Sequence, residues 1–285
     1  MSLRKRQEVQ KVLRKIKIPG VAPLDLAATL DCGQAFRWVA ENGGSSFAGV
    51  VNGRAVRVEL SDSVLTVSGT ESEDSGFWRG YFALDIDYAD LQRKFRSDPV
   101  LRKCVDYAPG IRVLRQDFFE TLISFIISQN NNIPRIKGII GRLCERYGKK
   151  LDLPGFETQL FSFPSAEQLA GSDVSRLSDL RAGYRTPWLV SAAEEVASGK
   201  LNARELASMS ASDARARLLK VKGVGPKVAD CVLLFGLGRF ESFPVDVWIR
   251  RAMEKLFPSG IPECARNYAG IAQQYIFHYS RTLSE

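Results

Sequence analysis

The sequence predicts an α+β protein in which a small antiparallel β domain precedes a larger, mostly helical region. Residues 19–75 contain short Val-rich segments separated by Asn-Gly, Ser-Asp and Ser-Gly turns, a pattern typical of β-strands. From about Asp87 to the C-terminus, apolar residues instead recur every three or four positions, as in helices with one buried face. With 285 residues, of which 45% are hydrophobic and 25% charged, the chain is long enough for two domains.

The charge is unevenly distributed along the chain. A basic N-terminal segment, residues 1–18, holds seven Lys or Arg and one Glu. The β-rich domain is expected at 19–115 and the helical region at 116–285. The net charge of +8 and the pI near 9.3 favour a polyanionic partner. The basic segment either contacts phosphates or is an ordinary solvated terminus. Charged runs are more often solvated than bound to a ligand, so we favour the second interpretation.

Each domain has its own periodicity. The alternation from Arg54 to Leu60 predicts an antiparallel sheet with one solvated face. Phe118, Leu122, Phe125 and Ile126 have the spacing of a buried helical face. Further helices are predicted at 134–147, 166–171, 186–198, 212–221, 226–237, 247–256 and 264–282.

Composition excludes several classes of chemistry. The five cysteines are scattered without a C-x-x-C pair, so neither a disulfide scaffold nor a cysteine metal site is expected. His278 is the only histidine, so we expect neither a histidine-based triad nor a multi-histidine metal site. There is no membrane-length apolar run and no signal peptide at the start of the sequence. We therefore expect an intracellular protein with no membrane partner, in the cytoplasm or nucleoid of a bacterium or in a eukaryotic nucleus.

A helix–hairpin–helix is predicted over residues 212–237. Ser210 and Asp213 form a capping pattern that opens the first helix, and Gly223-Val224-Gly225 ends it. Pro226 suits the first position of a second, almost wholly apolar helix. The glycines allow close backbone approach, and the amides at the second helix's start can bind a phosphate without reading a base. A plain buried helical turn is the alternative.

Lys227 and Asp246 are the candidate catalytic residues. Lys227 lies in the first turn of the second helix, where the helix dipole and partial burial favour a free amine that could form a Schiff base. A phosphate-binding lysine is the equally weighted alternative. Asp246 follows 19 residues later and suits the N-cap of the next helix. Such a carboxylate stays ionised and can stabilise an oxocarbenium ion.

These motifs resemble the helix–hairpin–helix (HhH-GPD) DNA glycosylase superfamily, and within it the 8-oxoguanine DNA glycosylases of the eukaryotic-type branch. The resemblance extends from about Leu24 to Arg281 and includes the hairpin with Pro244-Val245-Asp246-Val247. The other matching motifs are Cys32-Gly33-Gln34-Ala35-Phe36-Arg37-Trp38, Arg112-Val113-Leu114-Arg115-Gln116-Asp117, Ser128-Gln129-Asn130-Asn131-Asn132-Ile133, Gly183-Tyr184-Arg185 and Ala272-Gln273-Gln274-Tyr275-Ile276-Phe277.

The resemblance implies a TATA-binding-protein-like β domain before the HhH-GPD region, and a bifunctional glycosylase and AP lyase. By this resemblance, Lys227 attacks the anomeric carbon of the damaged nucleotide, Asp246 assists, and β-elimination nicks the strand. It also implies double-stranded DNA with an oxidised guanine as the partner. No metal or organic cofactor takes part, and a monomer is expected.

Further roles follow from the same resemblance. Gly33 offers its carbonyl to the N7–H of the oxidised base, Cys231 and Phe277 enclose the base, and Gln273 binds its Watson–Crick edge. Gly223 and Gly225 contact the DNA backbone.

The resemblance assigns a second group of residues to the space left by the flipped base. Asn130, Arg135 and Arg185 contact the unpaired cytosine there, and Tyr184 is a wedge in the base stack. A guanidinium on cytosine's O2 and N3 would favour cytosine over adenine opposite the lesion.

One position departs from the family pattern. Trp248 stands where better-known eukaryotic members have a phosphate-contacting histidine, so we assign it no role. His278 is expected at the surface or at the pocket edge. Two alternatives remain: a monofunctional superfamily member acting on other damaged bases, which Lys227 argues against, and a non-enzymatic hairpin module that binds DNA structures. The second does not explain Lys227 together with Asp246.

Overall fold

The computed structural model describes residues 14–69 and 74–282. Its first domain is an antiparallel sheet of five strands in the order β1-β5-β4-β3-β2. The strands are β1 Arg14–Pro19, β2 Trp38–Glu41, β3 Ser46–Val51, β4 Arg54–Ser61 and β5 Val64–Gly69. Asn52 and Gly53, both with positive φ, form the tight turn between β3 and β4, as the Asn-Gly pair predicts. The predicted α+β class is confirmed.

The sheet begins earlier than the sequence indicated. Residues 14–18 were assigned to the basic N-terminal segment, but Arg14–Pro19 pairs along its whole length with β5. Ile18 is buried in the sheet core, whereas Lys15 and Lys17 are exposed at the edge. Lysines are common on edge strands because they discourage pairing with other chains, and here they conceal the strand pattern. The remaining basic residues, Arg4, Lys5, Arg6 and Lys11, lie outside the described residues.

Thirteen α-helices lie within the described ranges 14–69 and 74–282. They are α1 Leu26–Leu30, α2 Ser75–Tyr81, α3 Tyr88–Phe95, α4 Pro99–Tyr107, α5 Phe118–Ser128, α6 Ile133–Tyr147, α7 Ala166–Ala170, α8 Thr186–Ala197, α9 Ala203–Ser208, α10 Ala211–Leu218, α11 Pro226–Cys231, α12 Val247–Leu256 and α13 Ala269–Thr282. Helix α1 lies inside the segment predicted to be β, and α2 begins before Asp87. A two-stranded sheet joins β6 Lys150–Leu151 to β7 Leu160–Phe161. None of the helices in these ranges is long and apolar enough to cross a membrane.

Gln34 connects the β domain to the segment before α5. Its buried amide donates to the carbonyls of Thr29 and Arg112, both at 2.8 Å, and its Oε1 accepts the Leu114 amide at 2.9 Å. Gln116 Nε2 in turn donates to the Gln34 carbonyl at 2.7 Å. All these groups are polar and largely shielded from solvent, so leaving any of them without a hydrogen-bond partner would lower the stability of the fold. The hydrogen bonds therefore fix the loop that contains Gly33 against the helical region.

A largely buried ion pair joins the same loop to α5. Arg37 Nη1 lies 3.0 Å from Glu120 Oε2, and the two side chains are only 9% and 19% exposed. Arg37 also donates to the carbonyl of Phe161 in β7. The guanidinium therefore connects three elements around the junction.

Candidate active site

A cavity at the junction of the two domains contains both predicted catalytic residues. Lys227 and Asp246 line it together with Gly33, Gln273 and Phe277. Cys231, the remaining residue predicted to contact the base, lines it as well. Its volume is about 50 Å³, room for about one or two water molecules. The cavity must widen before a purine can enter.

Lys227 is the second residue of α11 and reaches back to the end of α5. Its Nζ donates a hydrogen bond of 3.0 Å to Ser128 Oγ and lies 4.6 Å from the centroid of the Phe125 ring. The Ser128 hydroxyl is itself oriented, because it donates to the Phe125 carbonyl at 2.8 Å. Within the part of the chain that is described, Lys227 forms no ion pair with a carboxylate. The amine is thus held by a hydroxyl and an aromatic face.

The Phe125 ring also packs against Phe235. The two rings are stacked, with centroids 5.4 Å apart and planes 13° apart. Phe235 lies in a π-helical turn, Val232–Gly236, that follows α11. The sequence predicted a single helix over 226–237, so the α-helix ends earlier than expected. Such wide turns occur often at functional sites, and this one brings Phe235 to the cavity wall.

Asp246 is the N-cap of α12, as predicted. Its Oδ1 accepts the amide of Ile249 at 2.8 Å, and among the described residues Oδ2 has no hydrogen-bond partner. The other titratable groups at the cavity besides Lys227 are thiols. Burial raises the pKa of Cys231 to about 11, with Lys227 opposing part of that rise, so the thiol is protonated at neutral pH. Asp246 is therefore the proton acceptor best placed in the cavity.

The hairpin is joined to α5 and closed on itself. Arg215 of α10 donates two hydrogen bonds, of 2.6 and 3.1 Å, to the carboxylate of Asp230 in α11. Gln129 Nε2 donates to the Gly223 carbonyl at 2.9 Å. Gly223 has a φ of +84° and lies against the Trp188 side chain, where a Cβ would come within 2.6 Å of the indole. Gly225, the extended N-cap of α11, has open space around it.

Two of the residues predicted to contact the base have constrained surroundings. Gly33 has a φ of +93°, and a Cβ there would lie 3.2 Å from Ile133 Cδ1. Gln273 is buried, donates to the Pro244 carbonyl at 3.1 Å and accepts from Gln274 Nε2 at 2.6 Å. A base edge must therefore compete for an amide that already has partners.

Two family models together match most of the chain. The model of the 8-oxoguanine DNA glycosylase N-terminal domain matches residues 16–122, and that of HhH-GPD superfamily base excision DNA repair proteins matches 123–263. A probable N-glycosylase/DNA lyase of Methanothermobacter thermautotrophicus is 34% identical over 230 residues, 70% of this chain and 72% of that protein. The chain belongs to the 8-oxoguanine DNA glycosylase family.

Solved structures agree with this membership. The 8-oxoguanine glycosylase/lyase of Clostridium acetobutylicum, solved with double-stranded DNA containing cytosine opposite 8-oxoguanine, matches with a TM-score of 0.83 and 34% identity. The match covers 92% of this chain and 93% of that one. A structure of MBOgg1 with a low-affinity DNA ligand gives a TM-score of 0.88 and 37% identity over 96% of this chain and 99% of that one.

In this member of the 8-oxoguanine glycosylase family, three of the four residues predicted at the space left by the flipped base lie in contact with one another. Asn130 and Tyr184 are exposed, and Asn130 Nδ2 lies 3.5 Å from the Tyr184 hydroxyl. Arg185 is 4% exposed and donates to the carbonyls of Gln129 and Asn130. Arg135, in the first turn of α6, is exposed, and within the described part of the chain it makes no hydrogen bond to the other three. Their roles toward DNA stay predictions.

The two positions without a predicted role also have distinct surroundings. Trp248 is 42% exposed in the first turn of α12, with the Arg251 guanidinium 5.9 Å from its ring centroid. His278 is half-buried, and its Nε2 lies 3.1 Å from the Ala28 carbonyl oxygen. Burial lowers the pKa of His278 below its usual 6.5.

The contacts that hold the Lys227 amine were not predicted from the sequence. Phe125 was predicted to be buried and Ser128 belonged to a quoted motif, but neither was connected to Lys227. Helical periodicity shows which face of α5 is buried and not which side chain it meets. Only the N-terminal position of Lys227 in α11, opposite the C-terminal end of α5, brings the three together.

Proposed function

We propose that the chain is a bifunctional DNA glycosylase that removes 8-oxoguanine from duplex DNA and then cleaves the strand as an AP lyase. The observation that carries the proposal is the shared cavity of Lys227 and Asp246 with the residues predicted to contact the base. The printed names of the relatives, N-glycosylase/DNA lyase and 8-oxoguanine glycosylase/lyase, support the same activity. An enzyme of this kind works where DNA is kept, so we also propose an intracellular location.

Recognition begins with the damaged nucleotide turned out of the helix. The Gly33 carbonyl accepts the N7–H that guanine lacks and 8-oxoguanine has. Cys231 and Phe277 enclose the base, and Gln273 binds its edge once its amide exchanges partners. The protonated Cys231 thiol suits this role, because a neutral, buried group packs against a base without repelling its carbonyl oxygens.

Chemistry then uses the amine and the carboxylate. The unprotonated Lys227 nitrogen forms a bond to C1′ as the C1′–N9 bond breaks, and the base leaves with that electron pair and is protonated. Asp246 stabilises the positive charge that develops on the sugar and accepts a proton from the attacking amine. Opening of the sugar ring at O4′ gives an imine between Lys227 and the deoxyribose.

Strand cleavage follows from that imine. The imine makes the C2′ proton acidic, and loss of this proton breaks the C3′–O bond, so the 3′ fragment leaves with a 5′-phosphate. Hydrolysis of the imine returns the free amine of Lys227. This sequence accounts for glycosylase and lyase steps with one lysine and one aspartate.

The test is a single-turnover assay on a duplex with 8-oxoguanine opposite cytosine, which measures base release and strand nicking separately. We expect Lys227→Gln to lose nicking and Asp246→Asn to slow base release by orders of magnitude. Lys222→Gln is the matched control, because Lys222 is an exposed lysine of the same hairpin loop. Base release and nicking that survive in Lys227→Gln would contradict the proposal. Release without nicking in the wild type would point to a monofunctional enzyme, and DNA binding without release to a structural module.

The preference for cytosine opposite the lesion is proposed to depend on Arg135 and Asn130, with Tyr184 as the wedge. Arg185 supports this surface by holding the Gln129 and Asn130 carbonyls, so a direct contact with cytosine requires those bonds to be exchanged. We expect Arg135→Ala to reduce the discrimination between cytosine and adenine by about 1–3 kcal/mol, the value of a good base contact. Unchanged discrimination would remove Arg135 from this role.

A further inference from the structure

The loop that leads into Tyr184 contains a strained residue, Arg181. Its φ is +56°, in the left-handed region that residues other than glycine rarely adopt. Arg181 is exposed, so burial of its side chain does not explain the conformation. Strain of this kind persists where surrounding structure enforces it, and it is common at functional sites.

The backbone on both sides of Arg181 is held by arginines from neighbouring elements. Arg142 of α6 donates two hydrogen bonds, of 3.0 and 2.9 Å, to the Leu180 carbonyl. On the other side, Arg185 Nη1 donates to the Ala182 carbonyl at 3.3 Å. The Arg181 amide itself donates to the Ser178 carbonyl at 2.9 Å. The loop is therefore held at the peptide before Arg181 and again one residue after it, and the left-handed residue lies between these two points.

The side chain that this conformation presents has no partner of its own. Across the described residues, the Arg181 guanidinium makes neither a hydrogen bond nor an ion pair. It lines an open groove of about 470 Å³ together with Ser178, Tyr184 and Thr186, and none of the described residues that line this groove is a carboxylate. A free guanidinium beside hydroxyl groups is the chemistry that binds a phosphodiester.

We propose that Arg181 binds a backbone phosphate of the DNA beside the point at which Tyr184 enters the base stack. The loop places Arg181 in the same groove as the exposed Tyr184 side chain. This proposal rests on the proposed function, because it requires DNA to lie across Tyr184. The contact reads no base, so it adds affinity and register rather than sequence or lesion preference.

The Arg181→Gly variant tests both the phosphate contact and the backbone strain, because glycine removes the charge and adopts a positive φ without strain. We expect a melting temperature equal to or above that of the wild type. DNA binding is measured by fluorescence anisotropy on a duplex with a tetrahydrofuran abasic site, which the enzyme cannot process. The slope of log K against log salt concentration should fall by about 0.9, the contribution of one phosphate contact.

Two further variants serve as controls. Arg181→Ala keeps the strain and loses the charge, so its salt slope should match that of the glycine variant without any rise in melting temperature. Arg181→Lys should keep most of the slope. An unchanged slope in both uncharged variants would overturn the phosphate contact, and a lower melting temperature for Arg181→Gly than for Arg181→Ala would overturn the strain argument.

The single-turnover rate of base release, measured with saturating enzyme, keeps this proposal distinct from the proposed function. We expect it to be unchanged in Arg181→Gly, because the contact assists binding and not chemistry, and a loss of rate at saturation would count against a phosphate-only role. A wild type that releases no base would refute the proposed function while the salt slopes still decide the role of Arg181.

Discussion

The two glycines of the hairpin loop were predicted to have the same role, and the structure separates them. Gly223 combines a φ of +84° with a Cβ position only 2.6 Å from the Trp188 ring. Gly225 is extended, with φ −91° and ψ 179°, and has no atom within 4 Å of its Cβ position. Packing within the protein therefore requires glycine at 223, whereas only a bound ligand could require it at 225.

The expected magnitudes follow from these geometries. For Gly223→Ala, about 1–2 kcal/mol for a left-handed alanine and about 1–3 kcal/mol for overpacking against Trp188 give roughly 2–5 kcal/mol of lost stability. In a chain of this size that corresponds to a melting temperature lower by about 4–10 °C. Gly225→Ala should stay within about 0.5 kcal/mol of the wild type, because alanine adopts the extended conformation without strain.

Thermal unfolding and anisotropy binding to the tetrahydrofuran duplex test the pair. We expect Gly223→Ala to lose stability, and Gly225→Ala to keep it but bind DNA about 5- to 10-fold more weakly, the value of about one lost hydrogen bond. A Gly223→Ala variant that melts with the wild type would contradict the close packing against Trp188. A Gly225→Ala variant that binds DNA with unchanged affinity would show that the open space at 225 holds no ligand.

Three other predictions concern single contacts. Glu120→Gln should destabilise the protein by about 3–5 kcal/mol, measured by urea unfolding, because it leaves the Arg37 charge buried without its partner. Because burial lowers the pKa of His278, its unfolded form binds the proton more readily, and stability falls as the pH drops below about 6.5. The stability advantage of the wild type over His278→Gln should therefore shrink between pH 7.5 and 5. Ser128→Ala should slow imine formation about 2- to 10-fold without changing the melting temperature, because Lys227 loses one orienting hydrogen bond.

Each of these three predictions has a result that would contradict it. The exposed pair of Arg96 and Asp106 is the control for the buried one, and Asp106→Asn should lose less than about 1 kcal/mol. Equal losses in the two variants would mean that burial of Arg37 and Glu120 is unimportant. A stability difference for His278→Gln that does not vary with pH would refute the titration, and Ser128→Thr should restore the rate if the hydroxyl positions the amine.

Local signals predicted most of the fold, whereas the family resemblance supplied the base-contacting residues that line the cavity. Helical periodicity placed α6, α8 and α12 to within about a residue at each end, and the Asn-Gly pair marked the turn at Asn52 and Gly53, where both residues have a positive φ. The edge strand β1 was missed because its lysines face solvent and look like a charged tail. The separated motifs suggested which residues meet, although each motif by itself was compatible with a packing role.

What the sequence did not predict depends on distant elements acting on one residue. The sequence of the π-helical turn that brings Phe235 to Phe125 is equally compatible with an ordinary apolar α-helix. Packing determines the register of that turn. Arg181 looks like any surface arginine in the sequence. Its left-handed backbone becomes visible only when Arg142 and Arg185 are seen to hold the carbonyls on both sides of it.

The central claim is that the Lys227 amine forms a covalent imine with the sugar of the damaged nucleotide. Borohydride reduction during reaction with a duplex containing 8-oxoguanine opposite cytosine converts that imine to a stable amine, and mass spectrometry of the digested adduct locates it. We predict a single modified site at Lys227, with no adduct in Lys227→Gln and a normal adduct in Lys222→Gln. An adduct on another lysine, or full trapping in Lys227→Gln, would contradict the account.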